Sequence, residues 1–263
     1  MIAYPEIDPI AISIGPINIA WYGLTYVAGL AFAWWLGRKR SRSPGAAVAE
    51  DQLDDLIFYA ALGIIMGGRL GYIIFYGWSG LVADPLRLFR VWEGGMAFHG
   101  GLLGVIVAML LFCRQHKLSI PAVMDFIAPL APIGLALGRL GNFINQELWG
   151  RPTDVPWAMV FPKDPLGLAR HPSQLYQFAL EGVLLFLVLY WFTRKPRPTW
   201  SAAGLFLFGY GLLRSFSEFF RQPDAHIGFD AFGWLTRGQL LSIPMLVGGL
   251  LLMIWAYRRR PSN

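Results

Sequence analysis

Gly138-Arg139-Leu140-Gly141-Asn142-Phe143-Ile144-Asn145-Gln146-Glu147-Leu148-Trp149-Gly150-Arg151 begins as the end of a long apolar segment and finishes in a polar loop. An Arg, two Asn, a Glu and a second Arg therefore sit where hydrocarbon gives way to water. Ionisable groups are expensive at that depth, and a chain keeps them there mainly when they pair with one another or hold a charged substrate. Arg139 alone could simply extend its head to the interface, as terminal arginines do. An interfacial anchor leaves its polar neighbours unexplained, so the stretch reads as a site.

The rest of the chain is greasy. Of its 263 residues, 56% are hydrophobic and 14% charged, whereas a soluble domain carries about 25% charge. The expected fold class is all-α, a polytopic integral membrane protein forming a single transmembrane domain over residues 1–263. Net charge is +6, but the basic residues lie in short clusters between apolar spans. That pattern reports topology and anionic lipid and gives no reason for nucleic acid. Cys113 is the only cysteine, which excludes an intrachain disulfide and a thiolate metal site. His99, His116, His171 and His226 are scattered without paired spacing, so neither a metal nor a cofactor is expected.

Windows of about 20 apolar residues can span a bilayer, and seven transmembrane helices are read at roughly 19–37, 53–76, 97–112, 122–141, 175–192, 203–220 and 240–257. The alternate loops 38–52, 113–120, 193–200 and 258–263 hold twelve Lys and Arg, and the opposite set 1–18, 77–96, 142–174 and 221–239 holds seven. The richer side should be cytoplasmic. The N-terminus is then periplasmic, the C-terminus cytoplasmic, and the segment 1–18, free of Lys and Arg, an extramembrane lead-in rather than a secretory signal. The loops after spans two, four and six converge on the outer side, where Tyr22 and His99 also lie.

Arg214, Glu218 and Arg221 are spaced i, i+4, i+7 and should share one face of span six. Such a set can be a self-neutralising group that makes a buried Arg tolerable. It can also be a clamp in which Glu218 aims Arg214 at an anionic group while Arg221 sits at the rim, because a fixed guanidinium matches phosphate oxygens with two prongs. His99, before Gly100-Gly101, is either a packing residue or a general base. Gly77-Trp78-Ser79-Gly80 matches a short intramembrane-protease pattern, but the serine is expected in a loop and not at the start of a helix. Span seven has no Lys, which excludes a retinal Schiff base.

Six ordered blocks resemble the bacterial phosphatidylglycerol:prolipoprotein diacylglyceryl transferase family over nearly the whole chain. They are Trp21-Tyr22-Gly23-Leu24, Gly68-Arg69-Leu70-Gly71-Tyr72, Gly94 to Gly101, Gly138 to Arg151, Arg170-His171-Pro172-Ser173-Gln174-Leu175-Tyr176, and Glu218-Phe219-Phe220-Arg221-Gln222-Pro223-Asp224. The resemblance implies that Tyr22, His99, Arg139, Asn142, Glu147, Gly150, Arg214 and Glu218 are the functional positions. It also implies a bacterial inner-membrane enzyme whose site faces the periplasm. Such an enzyme moves a diacylglyceryl group from phosphatidylglycerol to the lipobox cysteine of a prolipoprotein signal peptide, releasing glycerol phosphate. Gln146 stands where many members have Gly, and Gln177 where many have Glu; both departures bear only on local loop geometry.

The residues agree with that chemistry on their own terms. Attack at an sp3 carbon needs no acyl-enzyme serine. It needs the departing phosphate stabilised, which preorganised arginines supply, and a thiol of ordinary pKa about 8.5 activated by a base or a cationic field. His99 and Glu147 are both candidates for that base. A transporter with buried Arg-Glu pairs is the alternative from another class, though its related halves and mid-membrane breaks are not evident. A purely structural membrane protein is a third reading. It leaves the co-located Tyr, Asn, Glu and His unexplained.

Overall fold

The computed structural model describes residues 2–90, 94–223 and 235–259. Asp224 and His226 lie outside the described residues. The chain is mostly helical, and its contacts gather into two compact units, one formed by residues 1–33 and 124–263 and the other by residues 34–123.

In the second unit, α2 (Leu53–Tyr76) and α4 (Phe98–Gln115) pack face to face. Glycines make this possible. A Cβ on Gly63 would stand 2.7 Å from the Gly104 carbonyl oxygen, and one on Gly71 would stand 2.6 Å from the Gly100 Cα. Small residues at this spacing let backbones approach, as membrane helices require where lipid offers no hydrophobic drive. The short α3 (Trp78–Ala83) follows α2. Ser79 thus lies inside a helix, contrary to the expected loop, but that helix is six residues long and gives Ser79 no histidine partner among the described residues. Arg69 is buried and donates to backbone carbonyls of Arg87, Leu88, Gly94 and Gly95. It ties a loop to α2.

The first unit begins with strands β1 (Ile2–Ala3), β2 (Ile10–Ile14) and β3 (Ile17–Ala20), followed by the first part of α1 (Trp21–Ser41), up to Ala33. It continues in α5 (Ile120–Ile127), α6 (Ala131–Ile144), β4 (Met159–Val160), β5 (Ala169–Arg170), α7 (Ser173–Gln177), a π-helical segment (Phe178–Leu184), α8 (Leu185–Phe192), α9 (Ser201–Ser217) and α10 (Arg237–Arg258). β1 pairs parallel to β4, with Ile2 opposite Met159, and β4 pairs antiparallel to β5. These short strands were not expected in an all-α chain. Tyr4, just after β1, packs on Phe143 and Phe161 and donates its hydroxyl to the Phe143 carbonyl at 2.8 Å. The lead-in thereby anchors the C-terminal end of α6.

Among the described residues, four helical stretches are long and apolar enough to cross a membrane: Glu50–Tyr76, Phe98–Gln115, Ser173–Phe192 and Arg237–Arg258. The expected continuous span over 122–141 is instead α5 and α6, bent by 47°. Pro129 lies in the break and Pro132 in the first turn of α6, since proline removes a helical donor and crowds the preceding turn. α1 is rich in Trp and Tyr and ends in Arg38-Lys39-Arg40, while α9 has 17 residues. Both are helices, but neither reaches that length and apolarity. The Asp125 carboxylate accepts from the Trp200 and Ala203 backbone N–H groups at 2.6 and 2.8 Å, satisfying orphan donors where α9 starts. Large apolar side chains such as Phe58, Ile74, Leu103 and Leu251 are exposed. Such exposure is expected of helices whose surroundings are lipid.

Candidate functional site

The site is assembled within the first unit around α6, and its centre is a residue that the sequence reading passed over. Glu181, 1% exposed, sits in the π-helical segment. Its Oε1 lies 3.4 Å from Arg214 Nη1 and accepts from Ser217 Oγ at 2.6 Å, and its Oε2 lies 3.5 Å from Arg139 Nη2. A π turn re-aims side chains relative to a regular helix and is common at functional sites. Gly182 allows the close approach, because a Cβ there would collide with Ala136 of α6.

Glu218 forms the second anionic node. It pairs with Arg214 one helical turn earlier, with Arg221 Nη1 at 3.3 Å, and accepts from Thr236 Oγ1 at 2.7 Å. Thr236 also caps α10, accepting from the Gln239 N–H at 3.2 Å while the Gln239 side chain accepts from the Thr236 N–H at 3.1 Å. Gly238 leaves room for the carboxylate: a Cβ there would come within 2.8 Å of Glu218 Oε1. The spacing of Arg214, Glu218 and Arg221 does bring them together. However, α9 ends at Ser217, so Arg221 reaches the group from beyond the helix, where it forms a β-bridge with Gly150.

Arg139 is the least committed of the three guanidiniums. Its ion pair with Glu181 is long, its side chain is 20% exposed against 12% for Arg214, and its other neighbour is the Tyr210 hydroxyl. Three arginines face two buried carboxylates, so the network carries one positive charge in excess.

One turn along α6, Asn142 donates from Nδ2 to Glu147 Oε1 at 2.7 Å, and Asn145 does so at 3.4 Å. Tyr22 packs on Gly141, where a Cβ would come within 2.6 Å of its ring, and its hydroxyl also bonds Asn142 and lies near Glu147. Glu147 is exposed and pairs with no cation among the described residues. Its turn is held from α7: Gln174 Nε2 donates to the Glu147 carbonyl at 2.7 Å and Ser173 Oγ to the Leu148 carbonyl at 2.9 Å. Gln146 and Leu148 both adopt positive φ, 56° and 59°, in that turn.

Gly150 joins three segments. Its N–H donates to the His171 carbonyl at 2.9 Å, the Arg151 N–H donates to the Phe220 carbonyl at 2.8 Å, and a Cβ on Gly150 would stand 2.6 Å from that same oxygen. Arg170 makes a buried two-pronged pair with Asp164 at 2.6 and 3.0 Å. The Arg170 guanidinium holds the Asp164 carboxyl below the usual carboxylate range, against the opposing effect of burial. Burial lowers the pKa of the His171 imidazole. Both shape the loop and touch none of the Glu181 network.

His99 opens α4 in the second unit, exposed, with its ring 5.6 Å from Phe98. Gln177, inside the expected span 175–192, ends α7 and is fully buried. The signal that could have found Glu181 was available, since it is the one acidic residue within the apolar run 175–192.

A family model described as prolipoprotein diacylglyceryl transferase matches residues 9–255. Three similar proteins share the name phosphatidylglycerol–prolipoprotein diacylglyceryl transferase. That of Ectopseudomonas mendocina is 56% identical over 261 residues, covering 99% of this chain and 98% of the relative. That of Pseudomonas putida is 55% identical over 264 residues, covering 100% and 98%. That of Teredinibacter turnerae is 57% identical over 268 residues, covering 98% and 93%. The chain belongs to the prolipoprotein diacylglyceryl transferase family.

Proposed function

We propose that this enzyme transfers the diacylglyceryl group of phosphatidylglycerol to the lipobox cysteine thiol of a prolipoprotein, the first step of lipoprotein maturation. The glyceryl carbon–oxygen bond to phosphate breaks, a carbon–sulfur thioether forms, glycerol phosphate departs and the thiol proton passes to a base. The observation that carries the reading is the buried three-arginine, two-carboxylate network with its single positive excess. That excess complements the one negative charge of a phosphodiester. As the bond breaks, charge grows on the departing phosphate, and donors already fixed in place stabilise it without reorganising.

Each residue then has a role. Arg139 grips the phosphate, since its weak pairing leaves donors to offer. Arg214, locked by Glu181 and Glu218, supplies the fixed field, and Arg221 closes the rim. Asn142 and Tyr22 orient Glu147 and the headgroup, and Gly150 keeps the 150–151, 171 and 220–221 segments joined. Glu147 takes the thiol proton, supported by its exposure and its neutral amide partners. The guanidinium field raises the thiolate fraction beforehand. His99, exposed at the first turn of α4, is the second acceptor to test.

The enzyme is a multi-pass membrane protein of the bacterial inner membrane in this reading. Seven spans place the N-terminus and the site on the periplasmic side, supported by the twelve-to-seven split of basic residues between the two sets of loops. The purified protein in phosphatidylglycerol vesicles, given a lipobox peptide, should release glycerol phosphate only when the peptide carries its thiol. Release independent of the thiol, or none at all, would overturn the assignment.

A further inference from the structure

Gln174, Gln177 and Glu181 are spaced i, i+3, i+7 along α7 and the π segment, so they form one stripe. The two ends of the stripe are placed by contacts to α6 and the turn that follows it: Gln174 bonds the Glu147 carbonyl and Glu181 faces Arg139. Gln177 therefore lies between the Glu147 turn and the Glu181 carboxylate that faces Arg139. It is fully buried, yet neither its Oε1 nor its Nε2 has a hydrogen-bond partner among the described residues, and Gln174 Oε1 is likewise without one. A buried amide left unpaired loses its hydration with nothing to replace it. A residue with no fold-stabilising bond at that cost invites a ligand explanation.

The ligand must be neutral and both donate and accept. No cation is bonded to Gln177, and a carboxamide presents an acceptor oxygen beside a two-hydrogen donor. Vicinal hydroxyls fit that pair. Gln177 sits four residues, about one helical turn, before Glu181, whose carboxylate faces Arg139. A glycerol headgroup spans a similar distance from its phosphate. Resting on the transferase reading above, we propose that the Gln177 carboxamide receives the hydroxyls of the phosphatidylglycerol headgroup. It thereby discriminates against anionic lipids whose headgroup has no hydroxyl.

The test uses the full-length protein in vesicles, with phosphatidylpropanol as competitor against phosphatidylglycerol in the thiol-dependent assay. Phosphatidylpropanol keeps the phosphodiester charge and lacks the hydroxyls. For the unaltered enzyme its inhibition constant should exceed the KM for phosphatidylglycerol about 10-fold or more, since a site with unpaired polar groups rejects the analogue lacking hydroxyls. In Gln177→Leu and Gln177→Met that ratio should collapse towards one, through a raised KM for phosphatidylglycerol, with melting temperature held or raised. Gln177→Glu, which keeps acceptors, should retain part of the preference. An unchanged ratio overturns the proposal, and so does complete inactivity or misfolding of both apolar variants, because the arginines alone should still hold phosphate. Failure of the transferase reading is read separately, as absence of thiol-dependent release from the unaltered enzyme.

Discussion

Glu181 and Arg214 are held 3.4 Å apart, and the other oxygen of the same carboxylate reaches Arg139 at 3.5 Å, so a single π-helical carboxylate bridges arginines from α6 and α9. Breaking a buried pair by removing one partner costs about 3–5 kcal/mol, because it strands the other charge. Glu181→Ala should therefore lower the melting temperature sharply and abolish transfer. Glu181→Gln, which keeps the shape and the Ser217 bond, should lose most activity at a smaller cost in stability. Thermal unfolding and turnover measured side by side check both.

Gly182 and Ala136 define how closely the π segment approaches α6. Gly182→Ala should destabilise the protein by about 1–3 kcal/mol through overpacking. The compensating Ala136→Gly in the same chain should recover part of that loss and of the activity. A double-mutant cycle on melting temperature reads the coupling.

The Asp164–Arg170 pair and His171 give the loop after α6 an acid-sensitive stability. Arg170 depresses the Asp164 carboxyl, so its contribution is present above the unfolded aspartate range near 4 and is lost as pH falls through the lower, folded value. His171 is lowered by burial, so its neutral form favours the fold and stability falls as pH drops below about 6.5. Both act in one direction. Unfolding midpoints taken downward from neutral pH should fall in two stages, and Asp164→Asn should remove the lower one.

Glu147 and His99 separate by kinetics. Glu147→Gln should lower kcat by about 100-fold or more, the scale of a lost general base, with little change in KM for phosphatidylglycerol. His99→Asn should do less. The reverse order would transfer the base role to His99.

Much of this arrangement was legible in the sequence because it follows helical spacing. Arg139 and Asn142, or Arg214 and Glu218, are one turn apart, and their depth in apolar segments marks them as costly. What was not legible depends on departures from regular geometry. The π segment sets where Glu181 points, and no period of the chain announces it. Gln177 falls inside the expected span 175–192, but nothing in its apolar surroundings shows that it ends α7 fully buried and, among the described residues, without a partner. The bend between α5 and α6 had its signal in Pro129 and Pro132, masked by unbroken apolarity. The two-residue strands that tie the lead-in to Met159 are too short to leave any alternation.

In the proposed mechanism Arg139 grips the lipid phosphate while contributing little to the fold. Turnover of purified Arg139→Ala, in phosphatidylglycerol vesicles with a lipobox peptide, tests it most directly. The expected result is a fall of about 100-fold or more, the scale of one lost transition-state donor, with a melting temperature within a few degrees of the unaltered protein. Turnover at the full rate would show that Arg139 does not hold the phosphate.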